Sequence, residues 1–119
     1  MRYTLEIRDG VFEAMISERI TYSDLDKFRQ MIAQMIESQT EQTVMDLSDV
    51  EFIDSAGLGM LLLIRDKVIK HDRHLLLKYP QGQVKRMFAV ARFDKMFDII
   101  EGGEFTDYQV AGSPLQVGL

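Results

Sequence analysis

The strongest constraint on this chain is a repeated switch in the spacing of its apolar residues. Tyr3, Leu5 and Ile7 alternate with polar neighbours, the two-residue period of a strand, and a second such run occupies 11–16 after Asp9-Gly10. Asp-Gly suits a tight turn, so the two runs read as an antiparallel hairpin. Leu25, Phe28, Met31, Ile32, Met35 and Ile36 then recur at three- and four-residue steps. That spacing predicts an amphipathic helix, capped by Ser23 and ending near Ser38. The β-branched start of Thr43-Val44-Met45-Asp46-Leu47 predicts a central strand.

Residues 58–71 carry Leu and Ile on more than one side, as a helix laid closely on a sheet does. Leu75-Leu76-Leu77 is a short apolar run that suits a strand covered on both faces. Val84, Met87, Phe88 and Ala91 return to helical spacing; Phe93, Met96 and Phe97 suit one more short helix, and residues 105–110 a last strand. Strand and helix patterns alternate, which argues for βαβ units with right-handed crossovers. The expected fold is therefore a single α/β domain over residues 1–110. It would have a mixed sheet of about four to six strands, opened by the hairpin and packed against about four helices. Residues 111–119, with Gly112-Ser113-Pro114, read as a loosely held tail.

At 119 residues the chain can bury a core of its own, and 46% apolar with 28% charged residues is ordinary for a soluble globular domain. No apolar run approaches the ~20 residues of a membrane span. The start lacks a secretory hydrophobic segment and there is no cysteine, which together point to the cytoplasm. A net charge of −5 with scattered basic residues argues against nucleic acid, whose phosphates require clustered Lys and Arg. The densest basic group, Lys67, Lys70, Arg73 and Lys78, reads as solvated surface.

The informative stretch is Asp46-Leu47-Ser48-Asp49-Val50-Glu51-Phe52-Ile53-Asp54-Ser55-Ala56-Gly57-Leu58-Gly59, a strand, a short loop and a helix start. Ser55 falls at that start, where unpaired backbone N–H groups and the positive end of the helix dipole tolerate a phosphate. Asp54 or Ser55 also suits an ordinary helix cap. Gly57 and Gly59 each cost about 0.8–1 kcal/mol in helix propensity relative to Ala. Two accounts offset that cost: close packing of helix on sheet, or close approach of a partner's backbone.

The same stretch resembles the signature of the STAS family, the anti-sigma factor antagonist domains, and the order of elements over roughly residues 1–105 is similar to theirs. The resemblance implies a non-enzymatic interaction module without cofactor. In phosphorylated members of that family, a kinase of the anti-sigma factor type modifies the serine matching Ser55. A phosphatase related to the metal-dependent serine phosphatases reverses the step, and the unmodified form binds and sequesters the kinase or anti-sigma factor. The implied docking surface around Ser55 is Asp54, Ala56, Gly57, Leu58, Gly59 and Met60. Many phosphorylated relatives carry an acidic or amide residue in the loop before the first helix, where Ile20 aligns; Glu18, Thr21 and Asp24 are the polar residues nearby. Other members are never modified and serve as adaptors or as accessory subunits of signalling or transporter complexes.

Enzymatic readings fare worse. Ile53-Asp54-Ser55-Ala56-Gly57 differs from a G-x-S-x-G nucleophile elbow at its first glycine. The only histidines, His71 and His74, lie at the far end of the helix that starts near Ser55, about 24 Å away at 1.5 Å per residue. Those two histidines alone do not make a closed metal site without further ligands. Of the eight methionines, Met31, Met35 and Met87 fall at core-facing positions, and Met60 is the one beside the expected docking site.

Overall fold

The structure, a computed structural model, describes residues 1–102. The strand expected at 105–110 and the tail at 111–119 lie outside these residues. Strand β1 (Arg2–Arg8) turns at Asp9-Gly10, both at positive φ, into β2 (Val11–Ile20), forming the expected antiparallel hairpin. Helix α1 (Leu25–Ser38), strand β3 (Gln42–Ile53), helix α2 (Ser55–Lys70), strand β4 (His74–Lys78), helix α3 (Gly82–Val90) and strand β5 (Asp98–Ile100) follow. The five strands lie side by side in sequence order, with β2 to β5 all parallel.

Register decides which face is buried. Leu5, Ala14, Met45, Leu77 and Ile99 stand abreast across the sheet, with Phe12, Thr43 and Leu75 in the row beside them. The apolar side chains of these rows share one core with Phe28, Met31 and Met35 of α1, Leu61, Ile64 and Val68 of α2, and Val84 and Phe88 of α3. Sequential parallel strands joined by right-handed crossovers place every helix on the same side. The opposite face carries Glu13, Val44, Asp46, Leu76 and Lys78. There the Lys78 ammonium reaches across β3 to Glu13, 3.1 Å away. Burial alone would lower the Lys78 pKa, but the Glu13 carboxylate and nearby Asp46 raise it above the usual lysine value. Val44, which stands opposite Glu13 on that face, is buried although it is no part of the main core.

Several expectations are corrected. The strand Leu75-Leu76-Leu77 is covered by helices on one face only, with Leu76 half-buried on the open side. Among the described residues there are three α-helices, and Phe93–Lys95, expected as one more short helix, and Tyr22–Asp24 are single 3-10 turns. Phe93 still anchors the core, its ring stacked at a tilt between Phe88 and Phe97. Ser23 caps nothing. Thr21 and Asp24 frame the turn instead, the Asp24 carboxylate accepting the Thr21 N–H at 2.8 Å, and α1 begins after it at Leu25. Nor are the basic residues simply solvated: Arg73 donates to the Met35 and Ile36 carbonyls at 2.6 and 2.8 Å, closing the C-terminal end of α1.

The largest difference is β3, which continues through the polar stretch 48–53 that reads as a loop. It pairs there with the end of β2, and two register shifts, with Glu18 at φ 73°, break the alternation that a strand would otherwise display. Beyond Lys78, β4 offers no further neighbour. The side-chain amide of Gln83, in the first turn of α3, takes its place: it donates to the Ile53 carbonyl and accepts the Ile53 N–H, both at 2.9 Å.

Candidate functional site

The long β2–β3 arm ends where Ile20 stands opposite Ile53, and from there the chain turns directly into α2. Only Asp54 separates strand from helix. Its N–H donates to the Ile20 carbonyl at 3.2 Å, and its side chain becomes the helix cap, Oδ1 accepting the Gly57 N–H at 2.7 Å. The second oxygen, Oδ2, accepts the Tyr22 N–H at 3.1 Å. One carboxylate thus ties the start of α2 to the 3-10 turn before α1.

Because Asp54 holds the cap position, Ser55 is the first residue of the helix proper and is free of that duty. Its side chain is exposed and its hydroxyl has no hydrogen-bond partner among the described residues. The first amides of a helix lack internal acceptors, so the hydroxyl stands at the positive end of a 16-residue dipole. Asp49 and Glu51 are exposed on the strand leading to it. Arg19, on the paired end of β2, lies over the Phe52 ring at 4.6 Å.

The six neighbours expected to form a docking surface divide by burial. Asp54, Ala56 and Leu58 are half-buried and Gly59 is exposed. Gly57 is buried: a Cβ there would sit 2.5 Å from the Ile20 carbonyl oxygen and 2.6 Å from Ile53, so its missing side chain serves internal packing. A Cβ on Gly59 would meet nothing within 4 Å, which leaves the partner-approach account open for that glycine alone. Met60, only 4% exposed, belongs to the core and offers no surface for docking. Ile20 is likewise fully buried at the end of β2 rather than in the loop, which begins at Thr21.

Sequence reasoning missed Tyr22. It is 77% exposed, follows Thr21 in the turn that packs against α2, and is held there through its own N–H by Asp54. An aromatic residue in a polar segment just before a helix was the available signal. Asp24, in the same turn, is buried and binds the N-terminal ammonium at 3.1 Å. Burial would raise its pKa, but the Thr21 N–H and the ammonium outweigh this and hold it below the ordinary aspartate value. Glu18, exposed, faces Arg2 at 3.6 Å. Neither of these two carboxylates is unengaged.

His71 closes the far end of α2, with Nδ1 2.8 Å from the Lys67 carbonyl oxygen, and His74 opens β4. Among the described residues no group of three side chains is placed to hold a metal ion, and no helix is long and apolar enough to cross a membrane.

The comparison that decides the family follows the whole of this architecture: the STAS domain profile matches residues 2–104. The chain belongs to the STAS domain family. Among its relatives, BtrV of Bordetella bronchiseptica, which carries a provisional name as an anti-sigma factor antagonist, is 22% identical over 104 residues, covering 87% of this chain and 90% of that one. The crystal structure of an anti-sigma factor antagonist from Mycobacterium paratuberculosis superposes with a TM-score of 0.75 at 24% identity, covering 87% of each chain. The Bacillus cell fate determinant SpoIIAA, solved in its phosphorylated form, gives a TM-score of 0.65 at 14% identity over 89% of this chain and 97% of that one. This STAS domain therefore has the single-layered helical face and N-terminal hairpin of the anti-sigma factor antagonist fold.

Proposed function

We propose that this STAS domain is a non-enzymatic, cytoplasmic partner-switching protein of the anti-sigma factor antagonist type, and that Ser55 is its phosphoacceptor. The observation that carries the reading is the exposed, unpartnered hydroxyl of Ser55 beside a cap supplied by Asp54. A serine needed as a cap would lose structure on modification; this one would not. The existence of a phosphorylated SpoIIAA is consistent with such chemistry in a relative.

The electrostatics supply the switch. A phosphate would add about −1.5 to −2 charges to a surface that already carries Asp49, Glu51 and Asp54. A partner surface fitted to a neutral hydroxyl would meet a hydrated dianion, and docking would weaken through repulsion and desolvation. A coupling of ~1–3 kcal/mol corresponds to roughly 5–150-fold in affinity. The partner would be a serine kinase or anti-sigma factor, with a serine phosphatase resetting the state. The docking surface would consist of Ser55, Leu58 and Gly59 together with Tyr22.

Affinity capture from native extract with wild-type, Ser55→Ala and Ser55→Glu proteins tests this reading. A serine kinase or anti-sigma-type protein held by wild type and Ser55→Ala but lost with Ser55→Glu is the expected result. Equal capture of the same partner by all three would overturn the switch and leave an unmodified adaptor or accessory subunit.

A further inference from the structure

Strand β1 forms one outer edge of the sheet: along its seven residues it pairs with β2 and, among the described residues, with nothing on its other side. Folded proteins blunt such an edge with proline, a bulge, a covering segment or charge. β1 has no proline, and its register with β2 is unbroken from Arg2 to Arg8. Its charges, Arg2, Glu6 and Arg8, are of both signs, so they repel another strand in some registers and attract it in others.

The hairpin settles which backbone groups face out. The pair flanking a two-residue turn, here Arg8 and Val11, exchanges its hydrogen bonds, and bonded pairs then alternate along the strand. Arg2, Thr4, Glu6 and Arg8 thus bond inward to β2, while Tyr3, Leu5 and Ile7 turn their N–H and C=O groups outward. Side chains alternate as well. Tyr3 and Leu5 are half-buried against the core, Ile7 is 57% exposed, and the charged residues stand on the open face of the sheet.

For an antiparallel pairing of β1 with β1 of a second copy, faces and charges leave one register. A slip of one residue would put the two helical layers on opposite faces. Centred on Leu5, the pairing sets Arg2 against Arg8 at both ends; centred on Glu6, it sets the two Glu6 carboxylates against each other. Centres nearer either end pair fewer residues. Centred on Thr4, it sets Arg2 opposite Glu6 at both ends and Tyr3 opposite Leu5, with Ile7 beside Met1. Glu6 also stands opposite the like-charged Glu13 of β2, which Lys78 already holds. Its present partner is Arg8 on its own strand, at 2.6 Å, and Arg2 faces Glu18 at 3.6 Å. Both are exposed surface pairs, which are weak and open easily.

We propose that the chain forms a twofold dimer through its β1 edges, antiparallel about Thr4, with one continuous sheet across both copies. Tyr3 and Leu5 exchange backbone hydrogen bonds with Leu5 and Tyr3 of the second copy, while Arg2 and Glu6 face Glu6 and Arg2. The start of α2 lies beyond β2 and β3 from this edge, so Ser55 stays open on both copies and the dimer is independent of the switch.

Sedimentation of the full chain at low salt, with Arg2→Glu and Glu6→Arg variants, tests the dimer. Wild type should associate as concentration rises. Each variant alone sets like charges opposite at both ends and should raise the dissociation constant by at least about tenfold. Mixed in equal amounts, every carboxylate of one variant at these positions faces a guanidinium of the other, and dimers should return. Thr4→Cys, in a chain without native cysteine, gives a check that alters no charge. Its sulfurs meet at the symmetry axis and should form a disulfide-linked dimer, whereas Arg8→Cys, opposite no residue of the second strand, should not. Wild type that stays monomeric up to ~1 mM would overturn the proposal. So would a mixture that stays monomeric, charge reversals without effect, or equal cross-linking at positions 4 and 8.

Discussion

The carboxylate of Asp54 accepts one N–H from the start of α2 and another from the turn at Tyr22, so its removal releases two segments at once. Asp54→Ala should cost about 1–2 kcal/mol in urea denaturation, the upper range for a lost N-cap, whereas Asp54→Asn, which retains an acceptor, should cost far less. The two glycines behind it should respond with opposite sign. Gly57→Ala forces a methyl against the Ile20 carbonyl, a backbone atom unable to swing aside, and should destabilise by about 1–3 kcal/mol. Gly59→Ala enters open space inside a helix and should stabilise by about 0.8–1 kcal/mol. Thermal denaturation of the two variants side by side checks both signs. If Gly59 serves partner approach, the more stable Gly59→Ala protein will nevertheless capture less partner.

At the scale of elements, the turn Tyr22–Asp24 depends on a buried carboxylate whose pKa is depressed. Its contribution to stability is fully present above the unfolded aspartate pKa, near 4, and is lost as pH falls through the lower folded value. Asp24→Asn should therefore be less stable than wild type at neutral pH, with the gap narrowing on acidification below about pH 4; denaturant titrations at several pH values measure it. The helices were legible in the sequence because Phe28, Met31 and Met35, or Val84 and Phe88, repeat at helical spacing and do face the core. The far half of β3 was not, because bulges at Met15/Ser17 and Glu18/Arg19 destroy the two-residue period and Asp49 and Glu51 point to solvent. Strand β5, at three residues, is too short for any period to register. Around the site, the helix start at Ser55 was readable from the motif. The division of labour between Asp54 and Ser55, and the burial of Met60 and Gly57, depend on contacts with Ile20 and Ile53 from distant strands.

For the molecule as a whole, the proposed switch acts through charge at a fixed surface. The Ser55→Glu protein should keep its sheet: amide NMR shifts should be confined to the turn near Tyr22 and the first turns of α2, with β1, β4 and β5 unmoved. A reorganised sheet in that spectrum would mean that modification works through shape instead. The strand order has a separate consequence, for how the chain is made. Among the described residues each strand lies beside the one synthesised just before it, so none of them must return from a distance to complete the sheet, and loop closures stay short. A chain emerging from its N-terminus can lay each strand and helix onto an edge already in place. Construction and failure then run in opposite directions, with the hairpin laid first and the three-residue β5, the thinnest of the described strands, the first of them to give way under stress.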